Sequence, residues 1–393
     1  MGETEELRAW LIALRTPGLG PVALRDWLQR AGHDIHAVLA QLWRQRVALG
    51  SAATAWLRQP DADRLAADLS WLALPGHRLL CCTDADFPPQ LEHIPQPPAA
   101  LFVSGDAATL LYPQVAVVGA RGASASGLVN AGAFTRALVR AGFAITSGLA
   151  DGIDGAAHVA ALDAGGATLA VMGTGPDLVY PRKHHALAQR IASQGALVSE
   201  FPPGTAARAD HFPRRNRLIA GLALGTLVVE AGVRSGSLIT ARLAVEQGRE
   251  VFALPGSIHH ELARGCHRLI RDGARLVEDA TEMVEILSSA ARLHGAELAA
   301  RLAEPPAAGR TGPPCAHAAD AVGAPPGLGN NDPAAQNLLY QIGHDPVSLD
   351  ELALRTGMSP GALGAQLLML ELDAQIESLA GNRYQRRAPR TAN

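Results

Sequence analysis

Residues 212–256, FPRRNRLIAGLALGTLVVEAGVRSGSLITARLAVEQGREVFALPG, set two apolar runs, TLVVEAG and EVFALPG, on either side of a helix-forming segment from Leu238 to Gln247. Near-continuous apolar runs, as opposed to alternating ones, belong to strands buried on both faces, and a helix between two such strands is the crossover that a parallel sheet requires. The same stretch is rich in cations. Arg214, Arg215 and Arg217 surround Asn216, and Arg234 precedes Ser235, Gly236 and Ser237 at the start of the helix. Backbone N–H groups of a helix start have no intrahelical partner and suit a phosphate, and arginine adds a planar fork of donors. No candidate nucleophile stands among these arginines, so the pattern favours holding a polyanion over cutting one.

Working outward, the runs VAVVGA, AITSGL, TLAVMGTG and ALVSEF repeat the buried-strand pattern, with helices over Gly127–Ala141 and Asp154–Ala164 between them. Residues 113–289 therefore read as an α/β domain, a Rossmann-like doubly wound parallel sheet that receives ligands at the carboxyl ends of its strands. The turn after the first run holds Gly119, Arg121, Gly122, Ser124 and Gly127. It lacks the G-x-G-x-x-G spacing, and no acid follows the second run in a position to hold a ribose, so Arg121 is what points this turn toward phosphate. Ser147 and Gly148 close the second run. Beyond them Asp154 and His158 share a helical face, and with Asp151 they would make a metal or acid/base set; with no fourth ligand or nucleophile nearby, a structural role is favoured, a helix cap for Asp154 and a buried hydrogen bond for His158. Tyr180, Arg182, Lys183, His184 and His185 follow the third run, where Lys183 extends the basic groove. Phe212 offers a face for base stacking, which suits an unpaired strand better than a duplex whose bases are already stacked. The competing reading has Phe212 filling a core gap and the arginines pairing with Glu200 or Glu230.

The flanks are of other kinds. Residues 1–78 read as a helical module, from Leu7, Trp10, Leu11 and Leu14 at helical spacing, a Pro17–Gly20 turn, and Leu24, Trp27 and Leu28. Residues 79–112 are proline-rich and read as an extended connector leading into the core; residues 290–332, rich in Ala, Pro and Gly, read as a flexible linker. Residues 333–388 carry three helical segments and a Gly381-Asn382 turn, the order of a winged helix. Its presumed recognition helix, Pro360–Leu372, has no Lys or Arg, whereas Arg383, Arg386 and Arg387 fall in the wing and tail, which disfavours reading of duplex sequence.

With 393 residues, 48% of them apolar, the chain has enough material for a large core. A formal net charge of −3 excludes a wholesale nucleic-acid coat protein, but residues 201–275 hold eleven arginines against six acids, a local surplus of five. Lys183 is the sole lysine, so the clustering of arginine carries more weight than its use. Adjacent Cys81 and Cys82, with Cys266 and Cys315, fit neither a disulfide framework nor a zinc half-site, and the N-terminus lacks the order of a secretory signal; a reducing cytoplasm is the expected compartment. No metal or cofactor is expected.

Taken in order, VAVVGARGASASG (115–127), SGLADGIDGAAH (147–158), GTGPDLVYPRKH (173–184), SEFPPGT (199–205), the 212–256 stretch and RGCHRLIRDGARLV (264–277) strongly resemble the DNA-processing protein A family, DprA or Smf, over about residues 80–287. The flanks resemble that family's sterile-alpha-motif-like domain and winged helix. The resemblance implies a non-enzymatic cytoplasmic protein that binds incoming single-stranded DNA in natural transformation, protects it, helps load the recombinase RecA, and forms a homodimer through the Rossmann-like domain. By motif position it assigns Gly119 and Arg121 to a phosphate-binding turn and Phe212 with Arg214–Arg217 to a DNA groove, with Arg208 a looser match. Two rivals stand beside it. One is a nucleotide hydrolase, because the core also resembles lysine-decarboxylase-like phosphoribohydrolases; of their PGG-x-G-T signature and following glutamate, Gly225, Thr226 and Glu230 are present. The other is a scaffold for recombination proteins with incidental DNA contact.

Overall fold

The computed structural model describes residues 3–303 and, beyond them, Leu338, Ile342, 347–348, Leu352, Thr356, Leu367, Leu370, 376–379 and 383–386. The chain divides into two units, 1–312 and 313–393.

The first unit begins with helices α1 (Glu3–Leu14), α2 (Pro21–Arg30), α3 (Ile35–Gln45), α4 (Ser51–Arg58) and α5 (Ala62–Leu72). Pro21 starts α2 where its missing N–H costs nothing, and Asp34 and Asp61 cap α3 and α5 by accepting from the amides of His36 and Arg64 at 2.8 and 3.0 Å. Trp10, Leu11, Leu24, Leu28, Val38, Leu42 and Leu65 form the core of this layer.

A nine-stranded sheet follows. Its strands are β1 (His77–Cys81), β2 (Ala100–Gly105), β3 (Gln114–Val118), β4 (Ala144–Ser147), β5 (Thr168–Val171), β6 (Ala196–Ser199), β7 (Gly225–Val228), β8 (Glu250–Ala253) and β9 (Arg275–Leu276). They lie in the order β1-β2-β6-β5-β4-β3-β7-β8-β9, parallel from β6 to β9, with β1 and β2 antiparallel at one edge. Between the strands run α6 (Ala125–Arg140), α7 (Ile153–Asp163), α8 (His185–Gln194), α9 (His211–Leu222), α10 (Gly236–Glu246) and α11 (Arg264–Arg271), and α12 (Ala280–Ala303) closes the unit. Helices α6, α7 and α12 bury Phe134, Leu138, Ala157, Ala161, Met283 and Leu287 against one face, while α9 and α10 bury Leu218, Ile219, Leu222, Ala241 and Ala244 against the other. This is the doubly wound architecture expected from the apolar runs. The chain steps from β3 outward through β4, β5 and β6, then returns to the opposite side of β3 as β7, so order reverses at β3 and opens a crevice at the strand ends.

Two expectations need correction. Residues 79–112, read as a connector, supply most of β1 and the whole of β2; Phe102 of β2 is fully buried against Trp71 of α5, with ring centroids 6.2 Å apart. The prolines 88, 89, 95, 97 and 98 that suggested a connector fall between the two strands, where no ladder N–H is needed. Gly105 ends β2 at φ +117°, and a Cβ there would lie 2.3 Å from the Gly195 carbonyl, so only glycine fits this crossing. The linker read over 290–332 also starts too early: α12 runs to Ala303, and His294 is buried with its Nε2 2.9 Å from the Leu111 carbonyl and 2.8 Å from Gln90 Nε2. Alanine looked like linker composition, yet it is the residue that favours helix most. Residues 304–332 lie outside the described ones.

In the second unit β10 (Val347–Ser348), β11 (Ile376–Leu379) and β12 (Arg383–Arg386) form an antiparallel sheet in the order β10-β12-β11. Helical residues Leu338, Ile342, Leu352, Leu367 and Leu370 pack with Ile376 into one core, the helix-and-wing arrangement expected there. Of the presumed recognition helix only Leu367 and Leu370 are described; Arg383 and Arg386 sit on β12, and Arg387 lies outside. Among the described residues no helix is long and apolar enough to cross a membrane.

Because Phe102 joins the helical layer to the sheet, Phe102→Ala is expected to destabilise the chain by about 3–5 kcal/mol. The measurement is urea unfolding followed by tryptophan fluorescence, which Trp71 reports at the contact itself.

Candidate functional site

A pocket of about 650 Å³ opens at the order reversal, lined by Val118, Gly119 and Arg121 after β3, by Phe212, Arg215, Asn216 and Ile219 of α9, and by Ser235–Ser237 and Thr240 at the start of α10. Ala150, Asp154, Tyr180 and Ala207–Ala209 complete its rim and floor. Its volume lies within the range of small-ligand sites.

Arg215 forms the floor. Only 5% exposed, it reaches from the first turn of α9 into the strand ends, where Nη1 donates to the Gly148 carbonyl at 2.6 Å and to the Val171 carbonyl, and Nε donates to Asn216 Oδ1 at 3.0 Å. Burial brings its pKa down to about 10, against the pull of Asp154, so it stays charged at neutral pH. Gly148 is where glycine is indispensable: a Cβ would stand 2.4 Å from Arg215 Nη2. Asp154 accepts from the amides of Gly148 and Ala150 at 3.1 and 3.4 Å, and desolvation raises its pKa despite Arg215. It ties down the loop beneath the arginine.

Phe212 stands half-buried above this floor. The guanidinium carbons of Arg121 and Arg215 lie 5.8 and 5.9 Å from its ring centre, and the Tyr180 ring is 5.4 Å away. Gly173 makes room for the ring, since a Cβ there would approach it to 2.9 Å. Arg121 is exposed and has no ion pair among the described residues. On the opposite wall Ser235 caps α10, accepting from Ser237 N–H at 3.4 Å, and the two hydroxyls are 2.6 Å apart. A Cβ on Gly236 would meet nothing within 4 Å, so the helix start is open to solvent. Guanidinium groups, hydroxyls and helix-start amides thus face an aromatic ring across one crevice, a donor set for an anion with a flat partner.

The structure gathers Gly119, Arg121, Phe212, Arg215, Asn216, Ser235, Gly236 and Ser237 of the expected residues in this pocket, and Gly148 in the smaller recess beside it. The others lie elsewhere. Ser147, expected to touch an anion, is fully buried and donates to the Val117 carbonyl at 2.6 Å, stitching β4 to β3. Arg217 is likewise internal: it pairs with Glu200 at 2.6 Å and donates to the Gln96 and Arg214 carbonyls at 2.9 and 3.3 Å. Arg214 faces solvent 3.4 Å from the same Glu200, Lys183 pairs with Asp151 at 2.9 Å, and Arg234 is exposed beside the α10 start; none of the three lines the pocket. Helical periodicity explains the split, since successive residues on α9 point about 100° apart. Asp154, Tyr180 and Thr240 were not among the expected contacts, and only Thr240 had a usable signal, one helical turn after Gly236.

Glu230, the carboxylate a hydrolase would use, accepts from Ser124 N–H at 2.9 Å and Ser124 Oγ at 2.5 Å, holding the residue that caps α6 through Gly127 N–H instead of lining the pocket. An anion at that helix start would meet a carboxylate, which the open start of α10 does not present.

Comparison with known proteins agrees with this fold. A family described as DNA recombination-mediator protein A matches residues 78–288, and one described as DprA winged helix domain matches residues 320–382. Protein Smf of Escherichia coli strain K12 is 46% identical over 253 residues, covering 64% of this chain and 66% of that protein. The X-ray structure of DNA processing protein A from Streptococcus pneumoniae superposes with a TM-score of 0.63 at 35% identity, covering 72% of this chain and 98% of that one. A structure of DNA processing protein A from Helicobacter pylori, described for its single-stranded DNA binding mode, gives a TM-score of 0.50 at 27% identity over 54% of this chain and 96% of that one.

One turn along α7 from Asp154, His158 is fully buried, its Nδ1 2.7 Å from Thr168 Oγ1. Thr168 gives its own proton to the Ile145 carbonyl, so Nδ1 carries the imidazole hydrogen and Nε2 is left bare, without a partner among the described residues. Burial, with His184 and Arg215 nearby, lowers its pKa to about 3. Below the ordinary histidine value of about 6.5 the unfolded chain binds a proton that the folded chain refuses, so stability is full above that pH and falls by up to about 1.4 kcal/mol per pH unit toward pH 3. His158→Gln is expected to flatten that part of the acid limb, as measured by urea unfolding from pH 7 to pH 4.

Proposed function

The chain belongs to the DNA recombination-mediator protein A family, and from that premise we propose that it holds single-stranded DNA in the α9–α10 pocket and releases it chemically unaltered. The observation that carries this reading is the convergence on one crevice of Arg121, Arg215, the open start of α10 and the Phe212 ring. Phosphates take the guanidinium and amide donors while a base lies against the aromatic surface, an arrangement that needs an unpaired strand. The engagement of Glu230 with Ser124 supports binding without hydrolysis.

The remaining parts of the reading follow the family. The protein acts in the cytoplasm on DNA taken up in natural transformation, shields it from nucleases and hands it to RecA, working as a homodimer so that two pockets share one strand. Tethering two sites raises avidity through effective concentration without any new contact.

Fluorescence anisotropy with a labelled poly-dT oligonucleotide tests the central claim. Each neutralised phosphate on a single strand contributes a slope of about −0.7 in log K against log salt, so two or three contacts give roughly −1.5 to −2. Arg121→Ala is expected to reduce the slope by about 0.7, and Phe212→Ala to weaken binding by about 1–3 kcal/mol with the slope unchanged. Affinity that is flat with salt, or higher for duplex than for single strand, would overturn the proposal.

A further inference from the structure

We infer that the α3–α4 face of the helical layer is a second contact for the same single strand, with Trp43 as its stacking platform; this rests on the reading of the pocket given above. From Ile35 to Pro60 the chain has no acidic residue, and its arginines are Arg44, Arg46 and Arg58. Trp43 is 42% exposed, with the Arg46 guanidinium carbon 4.0 Å over its ring and Arg46 Nη1 donating to the Trp43 carbonyl at 2.5 Å. Arg46 thereby holds the indole at the surface from one side. Val47, one turn on from Trp43, is 78% exposed. Thr54 of α4 donates to the Arg46 carbonyl at 2.7 Å, and Arg58 lies one turn beyond Thr54 on the same side of that helix. None of these three arginines has an ion pair among the described residues.

Charge and shape together select the occupant. Arginines without an ion pair among the described residues, on a stretch that has no acid between Asp34 and Asp61, take an anion, and an exposed indole beside them takes a flat ring. An unpaired strand supplies both at nucleotide spacing; a duplex hides its ring faces, and an acidic peptide offers carboxylates without the stack. The helical layer that carries this face is also tied to the segment leading to the pocket rim. Arg15, just past the end of α1 and held by Asp68 at 2.6 Å, donates to the Pro203 carbonyl at 2.9 Å, so the helical layer is anchored to the segment that runs into the pocket rim at Ala207–Ala209. A strand leaving the pocket along that rim meets the helical layer.

The test compares a poly-dT oligomer of about six nucleotides, enough for the pocket, with one of about thirty, using the full chain. Trp43→Ala is expected to leave the short oligomer's affinity unchanged and to weaken the long one roughly tenfold, with Trp43→Phe restoring most of the loss. Replacing Arg44, Arg46 and Arg58 together by Gln should lower the long oligomer's salt slope by about 2 and leave the short one's as it was. Quenching of tryptophan fluorescence by the long oligomer should be smaller in Trp43→Phe than in the unaltered protein. If both variants bind the long oligomer like the unaltered protein, this face serves something other than DNA, such as an acidic protein surface, and the inference is overturned while the pocket stands. If the unaltered protein binds neither oligomer, the pocket reading itself fails.

Discussion

The buried Arg215 guanidinium organises the pocket at the centre of this protein. Arg215 lies at the carboxyl ends of β4 and β5, where desolvating a cation costs several kcal/mol unless the surroundings compensate it. Two main-chain carbonyls and the Asn216 side chain accept its protons, and Asp154 supplies the opposing charge. Everything else at the site follows from the space this takes: glycine at position 148, the loop drawn back onto Asp154, and α9 seated with its first turn over the strand ends. Phe212, three residues earlier on that helix, is thereby set above the floor, its ring centre 5.8 and 5.9 Å from the guanidinium carbons of Arg121 and Arg215.

Two glutamates sort the other positive groups. Glu200 takes Arg217 inside and draws Arg214 toward it, removing two of the four cations in the Arg208–Arg217 stretch from the pocket. Glu230 holds Ser124, which caps α6 through Gly127 N–H, so a carboxylate already stands beside the helix start that follows β3. The open helix start is that of α10. A doubly wound sheet offers several such ends, and the internal acids determine which of them remains available to an external anion.

Much of this was legible from the residues. The six apolar runs from VAVVGA to EVFALPG could only be strands covered on both faces, and the helices between them left no topology but a parallel, doubly wound one. The misreadings share a cause: composition was taken for conformation. Prolines around residues 88–98 concealed two strands that flank them, and alanines after residue 290 concealed a helix that continues to Ala303. At the site, the RRNR cluster marked the right helix and included Arg215, without separating it from Arg214 and Arg217. Consecutive residues share a motif in sequence and point in different directions in space.

The sequence by itself determined the sheet, the family and the chemistry on offer, because burial on two faces demands continuous apolar strands and anion binding demands guanidinium groups near a helix start. Tertiary structure decided which of those groups are available. Whether an arginine meets solvent, a carbonyl or a glutamate depends on partners from distant segments, as with Gly148 and Val171 around Arg215 or Gln96 and Glu200 around Arg217. Electrostatic pairing acts over a few ångströms in space, and those distances exist only once the chain has folded.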